Sequence, residues 1–168
     1  MILIEAIFPI VLIIATLLCS LVAGFLFAFA SVVMPGLKRL DDREFIRAFQ
    51  VIDGVIQNNQ PIFVAVWVGS IVALLASVGL GLGQLDRAQR LLMILTPILY
   101  LLGVQLSTFT INVPLNNKLQ TLNVDEMKET ALKDARMDFE PRWNQWNLIR
   151  TLLACLTSAL LMILLFRM

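Results

Sequence analysis

Residues 6–33 read AIFPIVLIIATLLCSLVAGFLFAFASVV, and the first charge after Glu5 is Lys38. A helix crosses the hydrocarbon of a bilayer in about 20 apolar residues, so this stretch predicts a membrane-spanning helix. It is too long for the apolar region of a cleaved signal peptide, and Met1-Ile-Leu-Ile-Glu5 puts no positive charge in front of it. A retained span is therefore expected. Working outward, charge is also absent from Gly54 to Leu85, from Leu91 to Asn117 and from Thr151 to Phe166. None of these runs alternates apolar with polar residues as a barrel strand does. The spacing predicts four transmembrane helices, about 6–33, 61–83, 91–113 and 148–166.

The composition agrees. Of 168 residues, 59% are hydrophobic and 15% charged, against about a quarter charged in soluble domains. The length suits a single integral membrane domain over residues 1–168. A net charge of +1 supplies no basic field for nucleic acid. There is no histidine, which excludes Ser-His triads, His-ligated metals and the commonest general base near neutral pH. Two cysteines cannot form an all-thiolate metal site. No metal and no cofactor are expected from this residue set.

Four spans place both termini on one face and the connections 35–60 and 114–147 on the other. The short linker 84–90 makes spans two and three an antiparallel hairpin. The expected fold is all-α: a transmembrane four-helix bundle with short amphipathic helices in its two long connections. In the first, Phe45, Phe49, Ile52 and Ile56 recur at helical spacing, with Asp42, Arg43, Glu44, Arg47 and Asp53 at other positions. In the second, a helix is expected over 125–140, capped by Asn123 and Glu126, supported by Glu129 and Lys133, and ended by Pro141. Ten of the thirteen Lys/Arg lie on the long-loop face, including Lys38 and Arg39 directly after the first span. The positive-inside rule then puts the long loops in the cytoplasm and the termini opposite.

Small residues four apart favour close helix packing: Ser20, Gly24 and Ala28; Ala65, Gly69, Ala73 and Ser77; Ala154 and Ser158. Cys19 and Cys155 differ in depth by roughly 10 Å at 1.5 Å rise per residue, too far for a disulfide, and read as small packing residues.

Polar side chains within spans are costly and face the bundle interior or a cavity. Gln105, Thr108 and Asn112 share one stripe of the third span. Asn116 extends it if the helix passes Pro114, where a kink or end is expected. At the start of the fourth, Trp143, Asn147 and Arg150 share a face with Trp146 close by. Gln105, Asn112, Asn116, Trp143, Trp146, Asn147 and Arg150 are thus the expected ligand-binding residues, on the long-loop side. Interfacial tryptophans and a snorkelling arginine are the alternative explanation.

Three segments carry a family resemblance: Ala23-Gly-Phe-Leu-Phe-Ala-Phe followed by Val33-Met-Pro-Gly-Leu-Lys-Arg-Leu-Asp-Asp and Phe45-Ile-Arg-Ala-Phe-Gln50; Asn112-Val-Pro-Leu-Asn-Asn-Lys-Leu119; and Trp143-Asn-Gln-Trp-Asn-Leu-Ile-Arg-Thr151. Together they resemble the anthrone oxygenase-like family of small four-helix membrane proteins, across essentially the whole chain. The resemblance implies a cofactor-independent oxygenase of anthrone-like polycyclic phenols as one function. Arg150, Asp138 and Glu140 are then the candidate catalytic residues, the two acids as bases and Arg150 holding oxyanions. Many relatives carry His after the Asn of the last motif, where this chain has Leu148; if that His is the base, this chain binds without catalysis or uses another base. The other function class is a membrane protein binding a lipid, quinone or aromatic amphiphile, or docking into a larger membrane complex. Expected partners are the lipid bilayer, a small aromatic or lipid ligand, and a membrane-protein partner or second copy. Transport ranks third, since no span carries a repeated acidic pattern.

Overall fold

A computed structural model describes residues 2–168, with side chains from Ala6 onward. The described residues are all-α: α1 (Ile2–Ala28), α2 (Met34–Leu37), α3 (Asp42–Gln57), α4 (Pro61–Gly81), α5 (Arg87–Ile98), α6 (Val113–Gln120) and α7 (Glu129–Phe166). Wider π-helical turns at Phe29–Val33, Leu99–Leu106 and Thr108–Asn112 join α1 to α2 and α5 to α6. Four helical stretches are long and apolar enough to cross a membrane: Ala6–Leu37, Pro61–Gly81, Arg87–Gln120 and Glu129–Phe166. The chain is an integral, multi-pass membrane protein built as a helix bundle.

Helix starts follow local chemistry. The Asp41 carboxylate accepts from the Glu44 amide at the start of α3, and the Gln60 side chain accepts from Phe63 ahead of Pro61 in α4. Asp86 and Gln89 cap α5 reciprocally. One apolar core lies within the membrane, with Phe8, Leu12, Val22, Leu74, Tyr100 and Leu161 buried between α1, α4, α5 and α7. Ile10, Ile13, Leu17, Val68, Val72 and Leu152 face outward, as lipid contact requires. A second core lies under the long connections, where Phe45, Phe49, Leu119, Leu132, Phe139 and Trp143 pack together.

Helix α3 covers the bundle. Arg43 donates to the Val124 and Met127 carbonyls and pairs with Glu129, and Arg47 pairs with Asp125. Gln50 Nε2 donates to the Leu119 and Leu122 carbonyls, while Gln120 Nε2 donates back to the Gln50 carbonyl.

Several expectations need correction. Pro141 does not end a loop helix: α7 runs unbroken from Glu129 to Phe166. Met137, whose carbonyl Pro141 leaves without its helical donor, is exposed with Pro141 on the outer side, while Leu132, Phe139 and Trp143 anchor both halves to one core. Thirty-eight residues span roughly 57 Å at 1.5 Å each, so about half of α7 projects beyond a 30 Å hydrocarbon layer. The capping pair is not formed. Asn123 and Glu126 meet through a backbone turn, Lys128 precedes the helix, and Glu129 pairs with Arg43 rather than Lys133. The helix also continues past Pro114, because the π turn at Thr108–Asn112 absorbs the missing donor.

Packing differs in detail. Ala73, Ser77, Ala154 and Ser158 are buried as expected, but Gly24 and Ala28 are exposed; the buried side of α1 is Ala15, Cys19, Val22 and Leu26. Both cysteines are free; Cys19 is buried, whereas Cys155 is exposed.

Candidate functional site

A cavity of about 380 Å³ lies where the long-loop ends of the bundle meet α3. This lies within the range of small-molecule pockets, about 300–1,000 Å³. Its walls are aromatic. Phe63 stacks on Trp67 at 5.3 Å between centroids, and Phe25 meets Phe63 edge-on at 5.2 Å. On the other side Trp143 lies 5.7 Å from Phe29 and 5.5 Å from Phe49.

Arg150 lines this cavity and is 4% exposed. Its Nη1 donates to Thr108 Oγ1 at 2.9 Å and its Nη2 to Asn147 Oδ1 at 3.0 Å. The guanidinium carbon sits 5.8 Å from the Trp143 ring centroid, within cation–π range. Its Nε–H has no partner, and no carboxylate lies within ion-pair distance of it among the described residues. Asn147 is held by its neighbours: Nδ2 donates to the Leu26 carbonyl of α1 at 3.2 Å. Asn112, 1% exposed, donates from Nδ2 to the Trp143 carbonyl at 3.3 Å, leaving Oδ1 without a donor. Arg150 and Asn112 thus line one aromatic chamber, and each carries a buried polar atom, Nε–H and Oδ1, without a partner among the described residues. Each such group costs about 1–3 kcal/mol when left alone.

The opposite pole is Asp53, 3% exposed and on the same cavity. Its Oδ1 accepts from Asn116 Nδ2 at 2.7 Å; its Oδ2 accepts from Gln57 Nε2 at 2.7 Å and Gln120 Nε2 at 3.0 Å. Asn116 is itself fixed, because its Oδ1 accepts from the Trp143 indole N–H at 2.7 Å.

Of the residues expected at the site, Asn112, Asn116, Trp143, Asn147 and Arg150 line the cavity together. Gln105 lies behind the wall, where its Oε1 accepts from the Trp67 indole N–H at 2.9 Å and its Nε2 is unmatched. Trp146 is half-buried and not part of the lining, one position round the helix from Trp143 and Asn147. The two acids expected as bases lie outside the cavity. Asp138 is exposed on the projecting half of α7, paired with Lys118 at 2.6 Å; that hydrogen bond and charge hold its carboxyl below the usual carboxylate range. Glu140 is tied to Arg136 at 2.8 Å. Leu148 is 53% exposed and outside the lining, so a ring at that position would project away from the cavity.

Sequence reasoning placed Asp53 on the polar side of α3 and did not select Trp67. Asp53 is four residues after Phe49, so it continues the buried Phe45–Phe49 stripe, and an acid on an apolar stripe was the available signal. Among the described residues, no three Cys, Asp or Glu groups are close enough to share a metal ion. The cavity offers amides, one carboxylate and one guanidinium.

A family model described as Anthrone oxygenase matches residues 54–160, more than half of the chain. That range contains the Asn112–Leu119 and Trp143–Thr151 segments and leaves out the segments before Gly54. Comparison with curated proteins and with solved structures returned no match. The four apolar helices, the two motif segments and the family match agree, and the chain belongs to the Anthrone oxygenase family.

Proposed function

We propose that this protein binds a planar aromatic amphiphile, of the quinone or polycyclic-phenol type, in the cavity beneath α3. The observation that carries this reading is the buried Arg150, which lines the cavity with no carboxylate partner among the described residues and with its Nε–H unmatched, on the same lining as Asn112, whose Oδ1 is also unmatched. A guanidinium N–H seeks an oxygen bearing charge or a strong dipole, and Asn112 Oδ1 seeks a donor. A phenol or enol supplies both, and the Phe and Trp rings supply faces for its π system. Phe109, 59% exposed, belongs to both the cavity wall and the outer surface, which suits a ligand arriving through the bilayer. A phospholipid phosphate fits less well, since it would share the chamber with the Asp53 carboxylate. Native mass spectrometry of protein extracted from membranes in mild detergent tests the reading. The expected adduct is an aromatic of this class, lost in Arg150→Ala; phospholipid as the sole adduct, unaffected by that substitution, overturns it.

Family membership favours a second reading, cofactor-independent oxygenation of an anthrone-like phenol. Removal of a proton from the activated methylene leaves a carbanion that reacts with O2. The methylene becomes a carbonyl, one oxygen atom staying on the ring and the other leaving as water with the two methylene hydrogens. Anthraquinone formation from anthrone under air, absent in Arg150→Ala, is the expected result. No turnover by protein that binds anthrone removes this reading and leaves the first.

In the same account the long loops lie in the cytoplasm, following Lys38, Arg39 and the excess of basic residues on that face. A membrane-impermeant maleimide should leave a single cysteine at position 133, in a cysteine-free background, unlabelled in intact cells. Labelling there reverses the orientation.

A further inference from the structure

Asp53 is the one carboxylate among the described residues that lines the cavity, and no motif selected it. We propose that Asp53 is the proton acceptor of this site, taking a proton from an acidic C–H or O–H of an aromatic ligand whose oxygen lies against Arg150. The inference rests on the binding reading above and adds a chemical step to it.

Three observations carry it. First, Asp53 is buried and yet has no cationic partner within ion-pair distance among the described residues; its three donors there are the neutral amides of Gln57, Asn116 and Gln120. A carboxylate offers about four acceptor positions. Oδ2 takes two of these amides and Oδ1 only one, so Oδ1 keeps a position for a ligand proton. Second, the carboxylate is aimed by a fixed chain: the Trp143 indole donates to Asn116, which turns its own N–H to Asp53 Oδ1. The group is held by hydrogen bonds without being neutralised. Third, the cation of the cavity, Arg150, lies 5.8 Å from the Trp143 ring centroid, donates to Thr108 and Asn147, and does not pair with Asp53. An acceptor of protons and a stabiliser of oxyanions thus stand on two sides of one aromatic chamber, the pairing that enolisation requires.

The step balances without an oxidant or reductant. The ligand's C–H or O–H bond breaks, and the proton passes to Asp53 Oδ1. The bond's electron pair stays on the ligand and spreads to the oxygen that lies against Arg150. Return of the proton restores both partners. The mechanism needs no histidine, and the identity of residue 148 has no part in it, because Leu148 faces away from the cavity.

Anthrone serves as the probe. Under anaerobic conditions in D2O, NMR follows deuterium exchange at its methylene with the purified protein in detergent, while tryptophan quenching reports binding. The wild type should accelerate exchange over protein-free micelles. Asp53→Asn should lower that acceleration by about a hundredfold, within the usual contribution of a general base, and still quench. Asp138→Asn should match wild type. Asp53→Glu, which keeps the carboxylate but moves it by one methylene, should bind and exchange more slowly than wild type; it carries the test if Asp53→Asn does not fold. Binding by wild type without faster exchange, or undiminished exchange in the Asp53 variants, overturns the proposal. Absence of quenching by wild type overturns the binding reading and this step with it.

Discussion

Asp53 and Arg150 line one cavity as a buried carboxylate and a buried guanidinium, and they do not pair. Asp53 accepts from three amides, and Arg150 donates to Thr108 and Asn147 while its Nε–H stays unmatched. Burying a charge without a counter-charge costs stability, so their separation is a cost of the folded bundle that the proposed ligand would relieve. Arg150→Met removes that charge but leaves Asn147 Oδ1 without its donor, a cost of about 1–3 kcal/mol, so the two effects offset and the variant should melt near the wild-type temperature in ligand-free detergent. Differential scanning fluorimetry measures this. A marked fall in melting temperature would make Arg150 a structural fastener.

Asn116 joins two buried groups that have different jobs. Asn116→Ala leaves the Trp143 indole N–H unmatched and removes one donor from Asp53. Each orphaned buried group costs about 1–3 kcal/mol, and the loss should show as a lower unfolding midpoint. An unchanged midpoint would mean that the Trp143–Asn116–Asp53 chain is not formed.

The close approach of α1 to α4 depends on Gly81. A Cβ there would lie 2.4 Å from Phe8 Cε2, and Phe8 is fully buried. Gly81→Ala should destabilise by about 1–3 kcal/mol through overpacking. Gly24→Ala, with nothing within 4 Å of the added Cβ, should be neutral. Thermal unfolding of the two variants side by side checks both, and equal effects would contradict the packing described here.

Arg136 locks α7 to the chain between α2 and α3. It donates to the Lys38 and Leu40 carbonyls, pairs with Asp42 and Glu140, and lies 4.3 Å over the Phe45 ring. Arg136→Met should cost about 2–4 kcal/mol. It should also speed limited proteolysis within 38–45, because the carbonyls it holds are released. Unaltered proteolysis would argue that α3 is fixed by Arg43 and Gln50 alone.

The membrane architecture was legible because uncharged runs of span length leave few other folds open. Five of the seven residues expected at a site line one cavity, because buried polar groups in a span converge on an interior or a cavity. Helical spacing did not separate Trp143 from Trp146, which differ by less than a full turn and yet fall on different sides of the cavity wall. Pro141 misled because the cost of a missing donor is local and tertiary anchoring can absorb it, whereas at Pro114, where a kink or end was expected, the helix passes on directly after a wide turn. Asp53 was missed because its charge assigned it to solvent, although its place four residues after Phe49 put it on the buried stripe. Phe63 and Trp67 sit among apolar neighbours on α4, and nothing but the third dimension distinguishes wall from core.

The central claim is that Arg150 anchors an aromatic ligand in the cavity beneath α3. Titration of anthrone into the purified protein under anaerobic conditions, followed by tryptophan quenching, tests it most directly. Binding should saturate at one site per chain and be weakened by about tenfold or more in Arg150→Ala, which corresponds to about 1.4 kcal/mol. No saturation, or equal affinity in the two proteins, would contradict it.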